Sequence, residues 1–134
     1  MLNRIILVTL LLLLSGEAPA VTANSDWVAI GNSGDATVYF DPATIRRKGN
    51  VVKIWELFDY KTMQTTGTSS SFSTKHQVEF DCVEERFKVH ATVHHAGHMG
   101  NGIVTSSNLS ESNWNPVVPG SVSQTMWGIA CTKK

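Results

Sequence analysis

The sequence predicts an α+β domain, in which an antiparallel sheet of short strands is followed by one C-terminal α-helix. Runs rich in Val, Ile, Thr, Phe, Tyr and Trp are broken at short intervals by Gly, Asn, Asp and Pro turn signals, the pattern of an antiparallel sheet. The C-terminal segment changes to helical spacing behind a capping signature. The two cysteines fall where they can join the two parts, Cys82 at the end of a strand-like run and Cys131 in the terminal helix.

Taken in order, Trp27–Gly31 and Ala36–Phe40 flank Asn32-Ser33-Gly34-Asp35 and read as a hairpin. Asp41-Pro42-Ala43-Thr44 opens a turn or short helix, with Asp41 as its cap and Pro42 where a missing N–H costs nothing. Arg46-Arg47-Lys48-Gly49-Asn50 reads as a solvated turn, with a phosphate or polyanion site as the functional alternative. Val51–Tyr60 is the strongest strand and is apolar on both faces: Val52, Ile54 and Phe58 on one, Val51, Trp55 and Leu57 on the other. Such a strand is central and covered on both sides. One helix can cover one face; Trp55 and Leu57 then need a homodimer partner, a protein ligand or a long loop.

Thr62–Thr74 is Ser/Thr-rich around Gly67 and reads as a polar loop or weakly specified edge strand. His76–Cys82 and Arg86–His94 alternate most clearly, with Val78, Phe80 and Cys82 on one face, and Phe87, Val89, Ala91 and Val93 on one face. Pairing Cys82 with Phe87 and Phe80 with Val89 keeps both sets inward and sets Asp81 opposite Lys88 and Glu79 opposite His90. Gly102–Ser107 reads as a last strand and Trp114–Gly120 as an extended linker. Ser121 and Gln124 then form a capping box. Val122, Met126, Ile129 and Ala130 give the helix its apolar stripe, and Lys133 and Lys134 suit its negative end.

The 134 residues carry eleven Lys and Arg against eleven Asp and Glu. That balance argues against a generally basic nucleic-acid binder, although it is silent on local patches. Residues 1–20 read as a secretory signal peptide, with an Arg-bearing head, an apolar run from Ile5 to Leu14 and the small triplet Ala18-Pro19-Ala20. The run is too short to span a membrane, which takes roughly 20 residues. No cysteine follows it for lipid attachment, so residues 21–134 are expected to form a single exported domain, periplasmic or at the cell surface, without a lipid anchor. Two cysteines in an oxidising compartment allow one intramolecular bond, Cys82–Cys131.

Chemistry-bearing residues are few. His90, His94, His95 and His98 cluster along the chain and raise a metal site as an alternative. On a strand His90 and His94 share a face about 13 Å apart, too far to reach one ion. No serine lies in a Gly-x-Ser-x-Gly elbow and neither cysteine is expected to be free, so a non-enzymatic protein without cofactor is expected.

Several segments together resemble the surface-adhesin protein E-like family of exported bacterial proteins. They are Trp27–Gly31, Val38–Arg47, Val52–Tyr60, Glu79–Arg86, Met99–Gly102 and Trp114–Ser121 running on to Cys131. The resemblance implies an antiparallel sheet of about six strands and a C-terminal helix tied on by one disulfide. It also implies binding to host or extracellular-matrix proteins, and dimerisation. The sequence departs from that pattern in lacking a lipidation cysteine and a dense Lys/Arg cluster between Ser69 and His98. A soluble periplasmic metal-binding or envelope-assembly accessory protein is the alternative function.

Overall fold

A computed structural model describes residues 26–132. The expected signal peptide and the two terminal lysines lie outside the described residues. Eight strands form one antiparallel sheet: β1 (Val28–Ser33), β2 (Ala36–Phe40), β3 (Arg46–Lys48), β4 (Val51–Thr66), β5 (Ser69–Asp81), β6 (Arg86–His95), β7 (Val104–Asn108) and β8 (Asn115–Pro116). The main order is β1-β2-β4-β5-β6-β7, with β3 added beside β4 and β8 beside β6. One helix, α1 (Val122–Thr132), follows.

The helix is where the capping box places it. Ser121 Oγ accepts from Gln124 N at 3.2 Å, and Gln124 Oε1 accepts in return from Gly120 N at 2.9 Å, one residue earlier than the motif predicts. Met126 and Ala130 are fully buried against Val38, Val52, Ile54, Val78 and Phe80, with Val122 and Ile129 packed beside them. Trp127 Nε1 donates to the carbonyl of Asp81 at 2.9 Å. The Cys82–Cys131 disulfide ties the last turn to the end of β5, with Cα atoms 5.5 Å apart.

The sheet differs from expectation in four places, each for a local reason. The β5–β6 hairpin pairs Asp81 with Arg86, Phe80 with Phe87 and Glu79 with Lys88, two residues away from the expected register. Asp81 decides this: its Oδ1 accepts from Val83 N at 3.0 Å and Glu84 N at 3.1 Å, while Oδ2 accepts from Arg86 Nε at 3.1 Å. The side chain thus closes the turn immediately after itself. Second, a bulge falls between Gln77 and Val78, opposite Ala91 and Val89, leaving His90 as the extra residue. An inserted residue reverses the alternation beyond it. Phe87 and Val89 therefore face α1, whereas Ala91 and Val93 face the other side, and the four do not share a face as the sequence suggested.

Third, Thr62–Thr74 is a strand hairpin rather than a loop, and its outer part, where Gln64–Thr66 pair with Ser69–Ser71 alone, is the edge the sequence allowed. β4 continues to Thr66 and β5 starts at Ser69, the two pairing on either side of Gly67, whose φ of +61° suits the turn. Asp35 Oδ2 fastens this extension by accepting from Thr62 N at 2.9 Å and Thr62 Oγ1 at 2.5 Å. Fourth, Arg46–Lys48 is a short strand, and only Gly49-Asn50 turns.

The reversal at His90 bears directly on β4. Its second face continues across β5 to Ala91 and Val93 in the same layer, and the His98–Gly100 turn lies against β4 and β5. Ser73 Oγ donates to Gly97 O at 2.6 Å and accepts from Gly100 N at 2.9 Å. Asp59 Oδ1 accepts from Met99 N at 2.8 Å and pairs with His98 Nδ1 at 3.1 Å. Leu57 is left with 0% exposure. A loop of the same chain closes it, so Leu57 offers nothing to a homodimer and only Trp55 remains reachable.

Cys82→Ser is expected to lower stability by about 4 kcal/mol, the chain-entropy value for a loop of this length, read from denaturant unfolding with and without reductant. Equal stability in both would contradict the staple. Ser73→Ala leaves two backbone groups without their partner and should cost about 1–3 kcal/mol by the same measurement.

Candidate functional site

On the face turned away from α1, an open cleft of about 370 Å³ is lined by Trp27, Asp41, Thr44, Trp55, Lys75, Val93 and His95. The Asp-Pro-Ala-Thr turn positions Trp55. Asp41 caps it by accepting from Ala43 N at 3.0 Å. Trp55 N donates to Thr44 Oγ1 at 3.0 Å, and Trp55 O accepts from Asp41 N at 3.1 Å. Both backbone groups of Trp55 are thereby held by the turn rather than by a neighbouring strand. Trp27, just before β1, meets the ammonium of Lys75 at 6.0 Å from its ring centroid, the outer limit of a cation–π contact.

Lys75 stands opposite Leu57 on β5. Its stem packs on Gly100, where a Cβ would come within 2.4 Å of Lys75 Cε and where φ is +72°. Val93 reaches the cleft only because of the bulge at His90. His95 is buried, its Nδ1 3.4 Å from Gly102 O, and desolvation lowers its pKa. The cleft therefore has two half-buried indoles, one ammonium at its rim and a neutral imidazole in its wall, the composition of a recognition pocket with an apolar body and few polar groups.

The four clustered histidines do not converge. His90 Nε2 bonds Glu79 Oε2 across the bulge, His94 Nδ1 lies 2.9 Å from Thr74 Oγ1 on the helix side, His95 meets Gly102, and His98 meets Asp59. His90 and His94 do not share a face, for the same reason that Val93 changes sides. Among the described residues no group of three or more His, Cys, Asp or Glu side chains is arranged to hold a metal ion.

A second pair of titratable groups lies on the helix side of the sheet. Glu56 stands opposite His76, whose ring packs on Phe58 at 5.2 Å. Desolvation pushes the Glu56 carboxyl up to about 8. Burial, with His94 nearby, pushes His76 down to about 4. Both side chains are therefore neutral at pH 7.

Of the residues singled out in the sequence, Trp55 and His95 line the cleft, Leu57 lies beneath the surface, and Cys82 and Cys131 form the staple. Trp27, Asp41, Thr44, Lys75 and Val93 complete the cleft; the sequence marked Trp27, Asp41, Thr44 and Val93 only as structural residues and carried no signal for Lys75. The Asp41 cap was the signal available for Thr44 and Trp55; for Val93 none precedes the bulge.

One stapled helix closing one side of a single sheet, and an aromatic cleft opening the other, define a small α+β domain with one uncovered sheet face. Residues 27–132 match the family described as surface-adhesin protein E, and the chain belongs to that family. In structure it is similar to protein E of Haemophilus influenzae. The selenomethionine form superposes with a TM-score of 0.65 at 12% identity, covering 87% of this chain and 93% of that one. A second crystal form gives 0.65 at 12%, covering 86% and 94%. Protein E from a non-typeable strain gives 0.62 at 12%, covering 86% and 81%. At that identity the likeness is one of fold. Comparison by sequence with curated proteins finds no significant match.

The two shifted groups predict a pH dependence. A carboxyl raised from 4.5 to about 8 contributes stability that is complete below the unfolded value and is lost as pH rises through the folded one. His76, lowered from 6.5 to about 4, acts in the opposite sense, losing its contribution as pH falls through that window. Between pH 6.5 and 8 the Glu56 effect dominates, so the wild-type denaturation midpoint should fall more steeply than that of Glu56→Gln. Parallel profiles would contradict the assignment.

Proposed function

We propose that this chain is an exported, non-enzymatic adhesin domain whose residues 21–134 fold as one unit and bind a host, extracellular-matrix or envelope protein. The cleft between Trp27 and Trp55 receives an apolar side chain of that protein. The observation that carries this reading is the cleft itself: two indoles and Lys75 stand on the sheet face that α1 leaves uncovered. Aromatic anchors in partly enclosed pockets supply most of the energy at protein interfaces. Family membership supports adhesion as the class of activity. Among the described residues no helix is long and apolar enough to cross a membrane, which fits an exported protein held at the surface or in the periplasm by its partners. A second copy of the chain is a further candidate occupant, through Trp55 without Leu57.

Binding of the purified protein to epithelial cells and to immobilised basement-membrane extract tests this. Trp27→Ala, outside every strand, should weaken binding at least tenfold with an unchanged thermal midpoint. Equal binding by the variant would remove the cleft from the function. Protease shaving of intact cells should release the chain if it is displayed at the surface, and leave it protected if it is periplasmic.

A further inference from the structure

A second concavity on the same sheet face, a groove of about 410 Å³, is lined by Arg46, Arg47, Lys48, Val51, Lys53 and Glu79. We infer that this groove is a binding site for sulfated polysaccharide, separate from protein recognition at the aromatic cleft. The β3–β4 register sets Arg46 directly opposite Lys53 and Lys48 opposite Val51. Arg46, Lys48 and Lys53 thus share one face, within about 7 Å of their neighbours along and across the strands.

Like charges directly opposite each other destabilise a sheet; Lys53 has Glu79 opposite it on β5 and Glu111 nearby, but makes an ion pair with neither. Among the described residues none of the four cations meets a carboxylate in an ion pair. Glu79, the carboxylate in the groove, is taken by His90. The adjoining strands behave differently: Arg86 pairs with Asp81 and Lys88 with Glu111. Among the described residues, Arg46, Arg47, Lys48 and Lys53 have no such ion pair.

The arginines are also held in place without being neutralised. Arg46 Nη1 donates to Ala43 O at 2.9 Å and Ile45 O at 3.0 Å; Arg47 donates to Gly49 O at 3.1 Å and Cys131 O at 3.3 Å. These are uncharged acceptors, and each guanidinium keeps further N–H groups for a ligand. Cations approaching from two strands suit a tetrahedral sulfate ester, which offers oxygens in several directions, better than a planar carboxylate. Arg46, Lys48 and Lys53 are all exposed. A single exposed ion pair contributes little, so useful affinity requires a polymer carrying many such groups.

Heparin is the probe, and binding to the oxidised protein at physiological salt is measured by calorimetry. Wild type should bind, and Arg46→Gln with Lys53→Gln should weaken binding at least tenfold and flatten its salt dependence, at an unchanged thermal midpoint. Lys53→Arg, Lys61→Gln and Trp27→Ala should bind as wild type does, the last separating this site from the cleft. Absence of heparin binding by wild type would overturn the inference. So would equal binding by the double variant, or polyglutamate or phosphatidylglycerol vesicles binding as tightly as heparin.

Discussion

Strand β4 carries apolar side chains on both faces, and the remaining elements are arranged around covering them. Val52 and Ile54 on one side and Leu57 on the other are all at 0% exposure. The first face is closed by α1, whose Met126 and Ala130 are equally buried. A short helix over an open sheet has little to hold its far end, and the Cys82–Cys131 bond fixes that end to β5. The second face has no helix. It is closed over Leu57 by the His98–Gly100 turn held on Ser73 and Asp59. The turn reaches Leu57 and stops short of Trp55, and the place where it stops is the cleft.

The same asymmetry organises the polar residues. On the uncovered face the aromatic cleft and the basic groove are neighbours, because Trp55 and Lys53 lie two residues apart on β4 and project from the same side. A formal charge of zero conceals this arrangement. The cations of β3 and the start of β4 are gathered in one place, and the one carboxylate among them, Glu79, is paired with His90. On the helix side, by contrast, the ionisable groups Glu56 and His76 are kept neutral by desolvation. One face thus keeps its buried ionisable groups neutral and the other displays charge.

Features governed by residues close in sequence were legible without coordinates: the first hairpin, the Asp41 cap, the Ser121–Gln124 box, and the cysteine pair, for which only one partner exists. The two-sided character of β4 was legible too, together with the loop that resolves it as one of three answers. What could not be read depends on single side chains or insertions whose effect is felt at a distance. Asp81 has the same composition cost in either hairpin register, and only its bonds to Val83 and Glu84 select one. The alternation Phe87, Val89, Ala91, Val93 is an unbroken period-2 pattern, and no residue type in it announces a bulge. Ser/Thr-rich Thr62–Thr74 lacks the apolar signal of a strand because its pairing is held by the ladder and by Asp35. The cleft inherits these gaps, since Val93 and Lys75 join Trp55 only through the bulge and the β4–β5 register.

The central claim is that one chain covers both faces of β4 by itself. Amide hydrogen exchange on the oxidised protein, followed over a wide dilution series, tests it most directly. The account predicts that the amides of Ile54 and Leu57 exchange only through global unfolding, at rates independent of protein concentration. Exchange at Leu57 that accelerates on dilution while Ile54 stays protected would show that a second copy, rather than the His98–Gly100 turn, closes that face.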